Sequence, residues 1–213
     1  MDTEPKNLKP FSCADIRLEA RKALSGNWKF ACLLAVLYAV LELSQQFLPG
    51  LFPEGALKNT AEFFICILLF PIDVGLFACF YDVACKKAPS YGRLFVGYTS
   101  AGYFFKVLMT QILAGIYVLL WSLLLIVPGI LKLFSYSLTY LILVDHPECS
   151  PNEAITRSKK MMYGHRLELF RLFLSFIGWW LLCFVTLGIA TIWVVPYWMT
   201  AIGKFYENLK ENA

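Results

Sequence analysis

Two carboxylic residues lie inside long apolar segments of this sequence, and they are the side chains best placed to do chemistry. Glu42 lies about twelve residues into the first apolar run, and Asp73 follows Pro71 by two residues in the second run. An ionised side chain in hydrocarbon costs at least about 2.5–3.5 kcal/mol, so such residues usually face a bundle interior or water. Glu42 and Asp73 therefore form a candidate intramembrane polar site.

This pair has two interpretations. In the structural one, each carboxyl is protonated or hydrogen-bonded to a polar neighbour and holds helices together. In the functional one, the pair lies on a path for a proton or a small solute. Helical rise places the two carboxyls within about 6 Å of the same depth. Gln45 and Gln111 are the expected hydrogen-bonding partners.

No motif of a catalytic, metal or cofactor site is present in the sequence. There is no phosphate-binding glycine loop, no H-E-x-x-H and no G-x-S-x-G. His146 precedes Pro147 and His165 follows Gly164, so both lie beside turn residues. We expect capping or headgroup contacts from them. The seven cysteines contain no C-x-x-C pair and are interpreted as reduced, apolar fillers. We predict that the protein is not an enzyme and needs no cofactor.

The composition is that of an all-α membrane protein. Hydrophobic residues make up 59% of the 213 residues and charged residues 16%, whereas a soluble domain carries about 25% charged residues. The net charge of +4 is too small for a nucleic-acid binder. We predict a polytopic helix bundle with about six transmembrane helices, since about 20 apolar residues cross a bilayer. The spans are 30–48, 63–81, 107–127, 130–144, 167–187 and 189–205.

Turn residues arrange these spans as three hairpins. Pro128-Gly129 separates the third and fourth apolar runs, and Gly188 separates the fifth and sixth. Glycine ends helices readily and proline resists their continuation. The alternative, one helix over 107–144, is disfavoured by Pro128-Gly129.

The basic residues predict the orientation. With the N-terminus inside and six crossings, 17 of the 19 Lys and Arg residues fall on the cytoplasmic side. Only Lys58 and Lys132 remain outside. Such a bias follows the positive-inside rule. It also requires the short fourth run to cross the bilayer, because the basic loop 145–166 would otherwise lie outside.

Two polar segments are predicted to be amphipathic helices at the cytoplasmic interface. The segment 151–163 follows a capping Ser150 and has Pro151 at its first position. The segment 12–25 begins with Ser12, which is also a predicted cap. Basic amphipathic helices of this kind lie in the headgroup layer, where they contact anionic lipids. The alternative is a solvated helix packed on the loops. The candidate membrane-surface residues are Arg157, Lys159, Lys160, Met161 and Met162.

These two segments also resemble each other. Arg21-Lys22 is followed by Gly26, and Lys159-Lys160 is followed by Gly164 at the same spacing. Each segment precedes a helical hairpin. A fainter third copy runs through Tyr91, Phe95 and Gly102. This pattern suggests three units, each made of an interfacial helix and a hairpin.

The order of several short motifs resembles a bacterial integral membrane family, the domain of unknown function 975. The resemblance extends over about residues 12–206 and implies a bacterial protein with several spans, without an established activity or catalytic residues. The motifs are Gly26-Asn27-Trp28, Leu123–Ile130, Ser135-Tyr136-Ser137, Asp145-His146-Pro147-Glu148, Glu153-Ala154-Ile155, Ser158–Met162, Gly164-His165, Ser175–Trp179 and Leu187-Gly188-Ile189.

Together these features predict one membrane domain over 12–206, with a disordered cytoplasmic N-terminus at 1–11 and a cytoplasmic tail at 207–213. The expected location is the bacterial inner membrane with both termini in the cytoplasm. The expected function is non-enzymatic, either organisation of the envelope or binding of a partner, which includes another copy of the chain. The alternative function is a carrier or channel for a small solute or lipid that uses the intramembrane carboxylates.

Overall fold

A computed structural model describes residues 12–51, 55–124 and 126–212 of the chain. The predicted disordered segment 1–11 lies outside the described residues. The helices are α1 (Cys13–Leu24), α2 (Trp28–Phe47), α3 (Ala56–Leu69), α4 (Ile72–Ala84), α5 (Ala101–Leu124), α6 (Ile126–Tyr136), α7 (Thr139–Asp145), α8 (Pro151–Met161), α9 (Arg166–Ser175), α10 (Ile177–Val185) and α11 (Thr191–Asn212). Two 3-10 helices, Leu48–Leu51 and Tyr91–Tyr98, complete the described elements. The described chain is therefore all-helical, as predicted.

Four helical segments are long and apolar enough to cross a membrane, as expected of a membrane protein. They are Trp28–Leu51, Ala56–Ala84, Ala101–Leu123 and Arg166–Val185. The predicted fourth span is divided between α6 and α7, so neither piece has the length of a span. The predicted sixth span lies in α11, whose second half carries Lys204, Glu207 and Lys210 and is therefore more polar.

The second span contains a break that the sequence indicates at Pro71. Helix α3 ends at Leu69 and α4 begins at Ile72, because proline has no amide hydrogen to continue the ladder. Side chains from outside this span donate hydrogen bonds to the backbone carbonyls at the break. The Tyr98 hydroxyl donates to the Leu68 carbonyl, and Gln111 Nε2 donates to the Phe70 carbonyl at 3.2 Å. Such compensation is what allows a helix to break at membrane depth.

The boundary between α5 and α6 differs from the prediction. The sequence places a turn at Pro128-Gly129, but α6 already begins at Ile126, so both residues lie in its first turns. Proline is tolerated there because the first amides of a helix have no partner within it. A side chain at Gly129 would overlap Ser122 on α5. Glycine therefore permits the close approach of α5 and α6.

One end of the bundle is densely packed. Its core consists mainly of α4, α7 and α11, with the apolar faces of α1 and α8 packed against them. Helix α4 contacts both the Tyr91–Tyr98 segment and α11. The contact is backbone to backbone at Gly75, where an added Cβ would overlap the Leu94 carbonyl. Buried core residues are therefore concentrated at the end of the helices that the charge pattern assigns to the cytoplasm.

The two predicted surface helices form, but their apolar faces pack on protein. In α1 the buried residues are Ile16, Ala20, Ala23 and Leu24. In α8, Ala154 and Ile155 are buried, and Met162 just after the helix is fully buried. Both apolar faces are covered by neighbouring helices, so they cannot also insert into lipid. The predicted face exists, and its partner is the protein core instead of the headgroup layer.

Each short helix that precedes a predicted hairpin packs on a helix that ends a predicted hairpin. Helix α1 packs on α11, the Tyr91–Tyr98 segment packs on α4, and α8 packs on α7 and α5. Gly26 after α1 and Gly164 after α8 both have φ of +88°, a conformation that glycine adopts without strain. The sequence similarity of the two segments thus has a counterpart in local backbone geometry.

Candidate functional site

The Asp73 carboxyl has a specific partner on the neighbouring helix. Tyr38 on α2 donates its hydroxyl hydrogen to Asp73 Oδ1 at 2.7 Å, and both side chains are half-buried. Asp73 lies in the first turn of α4, directly after the break at Pro71. The exposed amides and the dipole of a helix N-terminus favour a carboxylate at this position. This bond connects α2 to α4 at the level of the break.

Glu42 lies beside this pair and has a different environment. It follows Tyr38 by one helical turn and acts electrostatically on both Tyr38 and Asp73. Its side chain is exposed, and Gln45 Nε2 donates to Glu42 Oε1 at 3.2 Å. Sequence reasoning expected both carboxyls to face the bundle interior. In the structure Asp73 is half-buried, whereas Glu42 is exposed on α2.

The second predicted amide partner, Gln111, contacts neither carboxylate. Its side chain is 5% exposed and donates to the Phe70 carbonyl, while its Oε1 atom has no hydrogen-bond partner among the described residues. Gln111 lines a cavity of about 450 Å³ between α4, α5, α6 and α7. Ser137, Thr139 and Tyr140 supply further polar groups to its wall. Neither Glu42 nor Asp73 lines this cavity.

The groups around Asp73 are suited to hydrogen bonding. A carboxylate, phenol and amides can exchange a proton or hold a polar ligand, but an activated nucleophile requires a base within hydrogen-bond reach. Among the described residues, no group of three or more His, Cys, Asp or Glu side chains could hold a metal ion. The arrangement therefore shows a hydrogen bond that joins α2 to α4.

Both histidines contact carboxylates close in sequence. His146 Nδ1 lies 3.2 Å from Glu148 Oε1, and His165 Nδ1 lies 2.7 Å from Glu168 Oε2. His165 is the residue before α9 and Glu168 lies in its first turn. Both contacts are local to loop or helix-start positions. They are contacts between side chains, and the His165 side chain forms no capping hydrogen bond at the start of α9, so the expected capping role stays a prediction.

A third carboxylate, Asp145, joins two helices, α7 and α11, and sequence reasoning did not single it out as a site. Its Oδ2 atom accepts from Lys210 Nζ at 2.6 Å and from the Tyr206 hydroxyl at 3.1 Å, so the end of α7 is bound to α11. Burial raises the pKa of Asp145, but the two hydrogen bonds together with the electrostatic attraction of Lys210 and His146 outweigh it, so the pKa lies below its ordinary value. The cluster thus attaches the C-terminal helix to the core.

The predicted membrane-surface residues of α8 divide into two groups. Lys159 and Lys160 are exposed, and Arg157 Nη2 forms an ion pair with Glu153 Oε1 at 2.9 Å. Met161 is half-buried against the core, and Met162 is fully buried. The structure therefore removes Met162 from the candidate surface residues, because its side chain fills the core beneath α8. The exposed lysines remain available to ligands.

Comparison with known families finds a match to the C-terminal region. Residues 124–213 match a family model described as "Protein of unknown function (DUF975)". This match confirms the resemblance to this family over residues 124–206, and the resemblance over residues 12–123 stays a prediction. The matched DUF975 region includes the Asp145 cluster and α8, and extends through α11. No curated protein matches the chain, and no solved structure matches it.

Proposed function

We propose that this chain is a six-span protein of the bacterial cytoplasmic membrane that organises the envelope or binds a partner, without catalysing a reaction. The observation that carries the proposal is the closed, densely packed end of the bundle. There α1, α8, the Tyr91–Tyr98 segment and the end of α11 meet the ends of the spans. A densely packed end that exposes Lys159 and Lys160 suits docking better than passage of a solute.

The proposed spans are α2, α3 with α4, α5, α6 with α7, α9 with α10, and α11. Two of the proposed crossings, the fourth and the sixth, rest on the charge pattern, which requires an even number of crossings between basic segments. In this arrangement the three units each consist of a short preceding helix and two spans. The common packing of the short helices supports this repeat.

Cysteine labelling tests the topology. The native cysteines are first replaced by Ser or Ala, and single cysteines are introduced by Ala56→Cys and Lys160→Cys, both at exposed positions. A membrane-impermeant maleimide applied to intact cells is expected to label position 56 and not position 160. Permeabilised cells, in which position 160 becomes reactive, serve as the control. Labelling of position 160 in intact cells would contradict the proposed orientation.

The cavity beside Gln111 supports a second candidate function, a carrier for a small polar solute. A buried amide oxygen without a partner costs free energy, so a hydrogen-bond donor bound there would be stabilised. The test is a thermal-shift screen of small polar solutes on the detergent-solubilised protein. A carrier is expected to show a solute whose stabilising effect disappears in Gln111→Leu. If no solute stabilises the wild-type protein, the carrier function loses its support.

A further inference from the structure

We infer that a pocket between α1, α10 and α11 binds the phosphate of an anionic phospholipid. The pocket has a volume of about 290 Å³ and is lined by Ala14, Arg17, Leu18, Arg21, Trp179 and Tyr197. It combines two guanidinium groups with two aromatic side chains and contains no acidic residue in its lining. The inference deepens the proposed function, because it rests on the proposed membrane location.

The periodicity of α1 explains how one short helix builds this pocket. At about 100° per residue the helix presents three faces. The first face, which includes Ile16 and Ala20, is buried against the core. The second carries Arg17 and Arg21, one turn apart, and faces the pocket. The third carries exposed acidic and basic residues, so the acidic groups point away from the two guanidiniums. The residues of this third face are Asp15, Glu19 and Lys22.

Hydrogen bonds hold both the side chain and the backbone of Arg17. Its Nη1 atom donates to the Ser175 carbonyl at 3.1 Å, and the Tyr197 hydroxyl donates to the Arg17 carbonyl at 3.2 Å. Its Nε atom is buried and has no hydrogen-bond partner among the described residues. A buried donor without an acceptor is rare in folded proteins. An oxygen-rich ligand at this position would supply the missing acceptor.

Arg21 completes the site from the same face of α1. Its guanidinium carbon lies 5.8 Å from the centroid of the Tyr197 ring, in cation–π geometry. No ion pair to a carboxylate is formed by Arg17 or Arg21 within the described part of the chain. The planar fork of arginine matches phosphate oxygens in a bidentate manner. Two such groups with no carboxylate to neutralise them favour an anion with several oxygens.

The surroundings of the pocket select a lipid over a soluble phosphate. Trp179 belongs to α10, and it is 37% exposed beside Leu182, which is 44% exposed. Leu18 at the pocket wall is 50% exposed. A soluble phosphate would leave these exposed apolar side chains in water, whereas the acyl chains of a lipid would cover them. A phospholipid whose phosphate is held by Arg17 and Arg21 would thus extend its acyl chains along the apolar surface of α10.

Native mass spectrometry of the full chain in detergent tests this site. We expect phosphatidylglycerol to bind more tightly than phosphatidylcholine, and Arg21→Gln to weaken the first phosphatidylglycerol about tenfold, as expected for loss of a charge-assisted hydrogen bond. Lys22→Gln is the matched control, because it removes the same charge from the next residue of α1, which lines a different pocket. Equal weakening by both variants would indicate diffuse attraction and overturn the site.

Three further measurements keep the outcomes distinct. Arg21→Lys retains the charge and loses the fork, so it is expected to bind phosphatidylglycerol at intermediate strength; wild-type affinity in this variant would contradict the bidentate contact. Millimolar glycerol phosphate is expected to leave the bound lipid in place, and its displacement of the lipid would overturn the lipid assignment. Release of the protein from membranes by alkaline carbonate would refute the proposed membrane location. Retention without any preference for phosphatidylglycerol would refute the pocket alone.

Discussion

Helices α3 and α4 are two parts of one apolar segment, yet they have opposite environments. In α4, 11 of 13 residues are buried in the protein, whereas none of the 14 residues of α3 is buried. Both are rich in Leu, Ile, Phe and Ala or Val. The difference arises because α4 is surrounded by α11, α7 and the Tyr91–Tyr98 segment, while α3 contacts few neighbours. Hydrophobicity therefore does not distinguish a core helix from a lipid-facing one.

The same contrast extends through the molecule. The end that contains α1, α4, α7 and α8 is packed like a protein interior, while α3, the end of α5 and the α10–α11 turn expose apolar side chains. Leu123 is 84% exposed and Leu187 is 95% exposed. In a bilayer such residues contact acyl chains at no cost. Stability should therefore depend on substitutions at the dense end and tolerate them at the sparse end.

The largest difference is expected between two phenylalanines of the same span. Phe80 on α4 is fully buried, and Phe64 on α3 is 63% exposed. Phe80→Ala should lower the free energy of unfolding by about 3–5 kcal/mol, because it leaves a cavity in the core. Phe64→Ala should change it by less than about 0.5 kcal/mol. Unfolding in a denaturing detergent, followed by circular dichroism, measures both. Similar losses for the two variants would contradict the division into dense and sparse ends.

A pair of glycines gives the next largest effect. Gly75→Ala adds a methyl group against the Leu94 backbone and should destabilise the fold by about 3 kcal/mol, since backbone atoms cannot move aside as a side chain can. Gly115 on α5 has open space beside it, so Gly115→Ala should stabilise the helix by about 0.5–1 kcal/mol. Melting temperatures of the purified variants give the comparison. A stable Gly75→Ala protein would mean that the α4 contact with the Tyr91–Tyr98 segment is looser than the structure indicates.

Asp145 and Glu148 provide a smaller, pH-dependent comparison at the dense end. Asp145→Asn should lower the free energy of unfolding by about 1.5–3 kcal/mol, as expected for loss of a hydrogen bond between charged groups. Glu148 is exposed, so Glu148→Gln should change this free energy little. Because the folded-state pKa of Asp145 is lowered, its stabilisation is present at neutral pH and is lost as the pH falls below about 4.

Melting curves at pH 7 and at pH 3.5 test this prediction. The difference between wild type and Asp145→Asn should shrink at the lower pH, whereas Glu148→Gln should follow the wild type at both values. A difference that does not depend on pH would indicate that the carboxylate charge is not what attaches α7 to α11.

The smallest effects are expected for the intramembrane carboxyls. Asp73→Asn keeps an oxygen that can accept from Tyr38, and Glu42→Gln changes an exposed side chain, so both variants should retain the fold and the cellular level of the protein. Asp73→Leu, which removes the acceptor, should be less stable than Glu42→Leu. Expression level and melting temperature are the measurements. Loss of folded protein in Asp73→Asn alone would show that the negative charge itself is required.

The sequence by itself determined the helical class and the positions of most helices. Long apolar runs interrupted by glycine and proline admit only helices in a membrane, because every backbone group must find a partner inside the segment. The caps and turns were also local properties. Ser150 accepts from the Glu153 amide at 3.3 Å, and Gly26, Gly164 and Gly188 adopt positive φ after helices, as their residue types favour.

The tertiary structure decided what those helices face. The apolar sides of α1 and α8 have the pattern of membrane-surface helices, and only the presence of α11, α7 and α5 beside them turns these sides into protein core. The same applies to the candidate intramembrane pair, since Tyr38 on α2 gives Asp73 a hydrogen-bond partner while Glu42 on the same helix is exposed. Periodicity fixes which residues share a face, but contacts between residues far apart in sequence determine whether protein, lipid or water covers it.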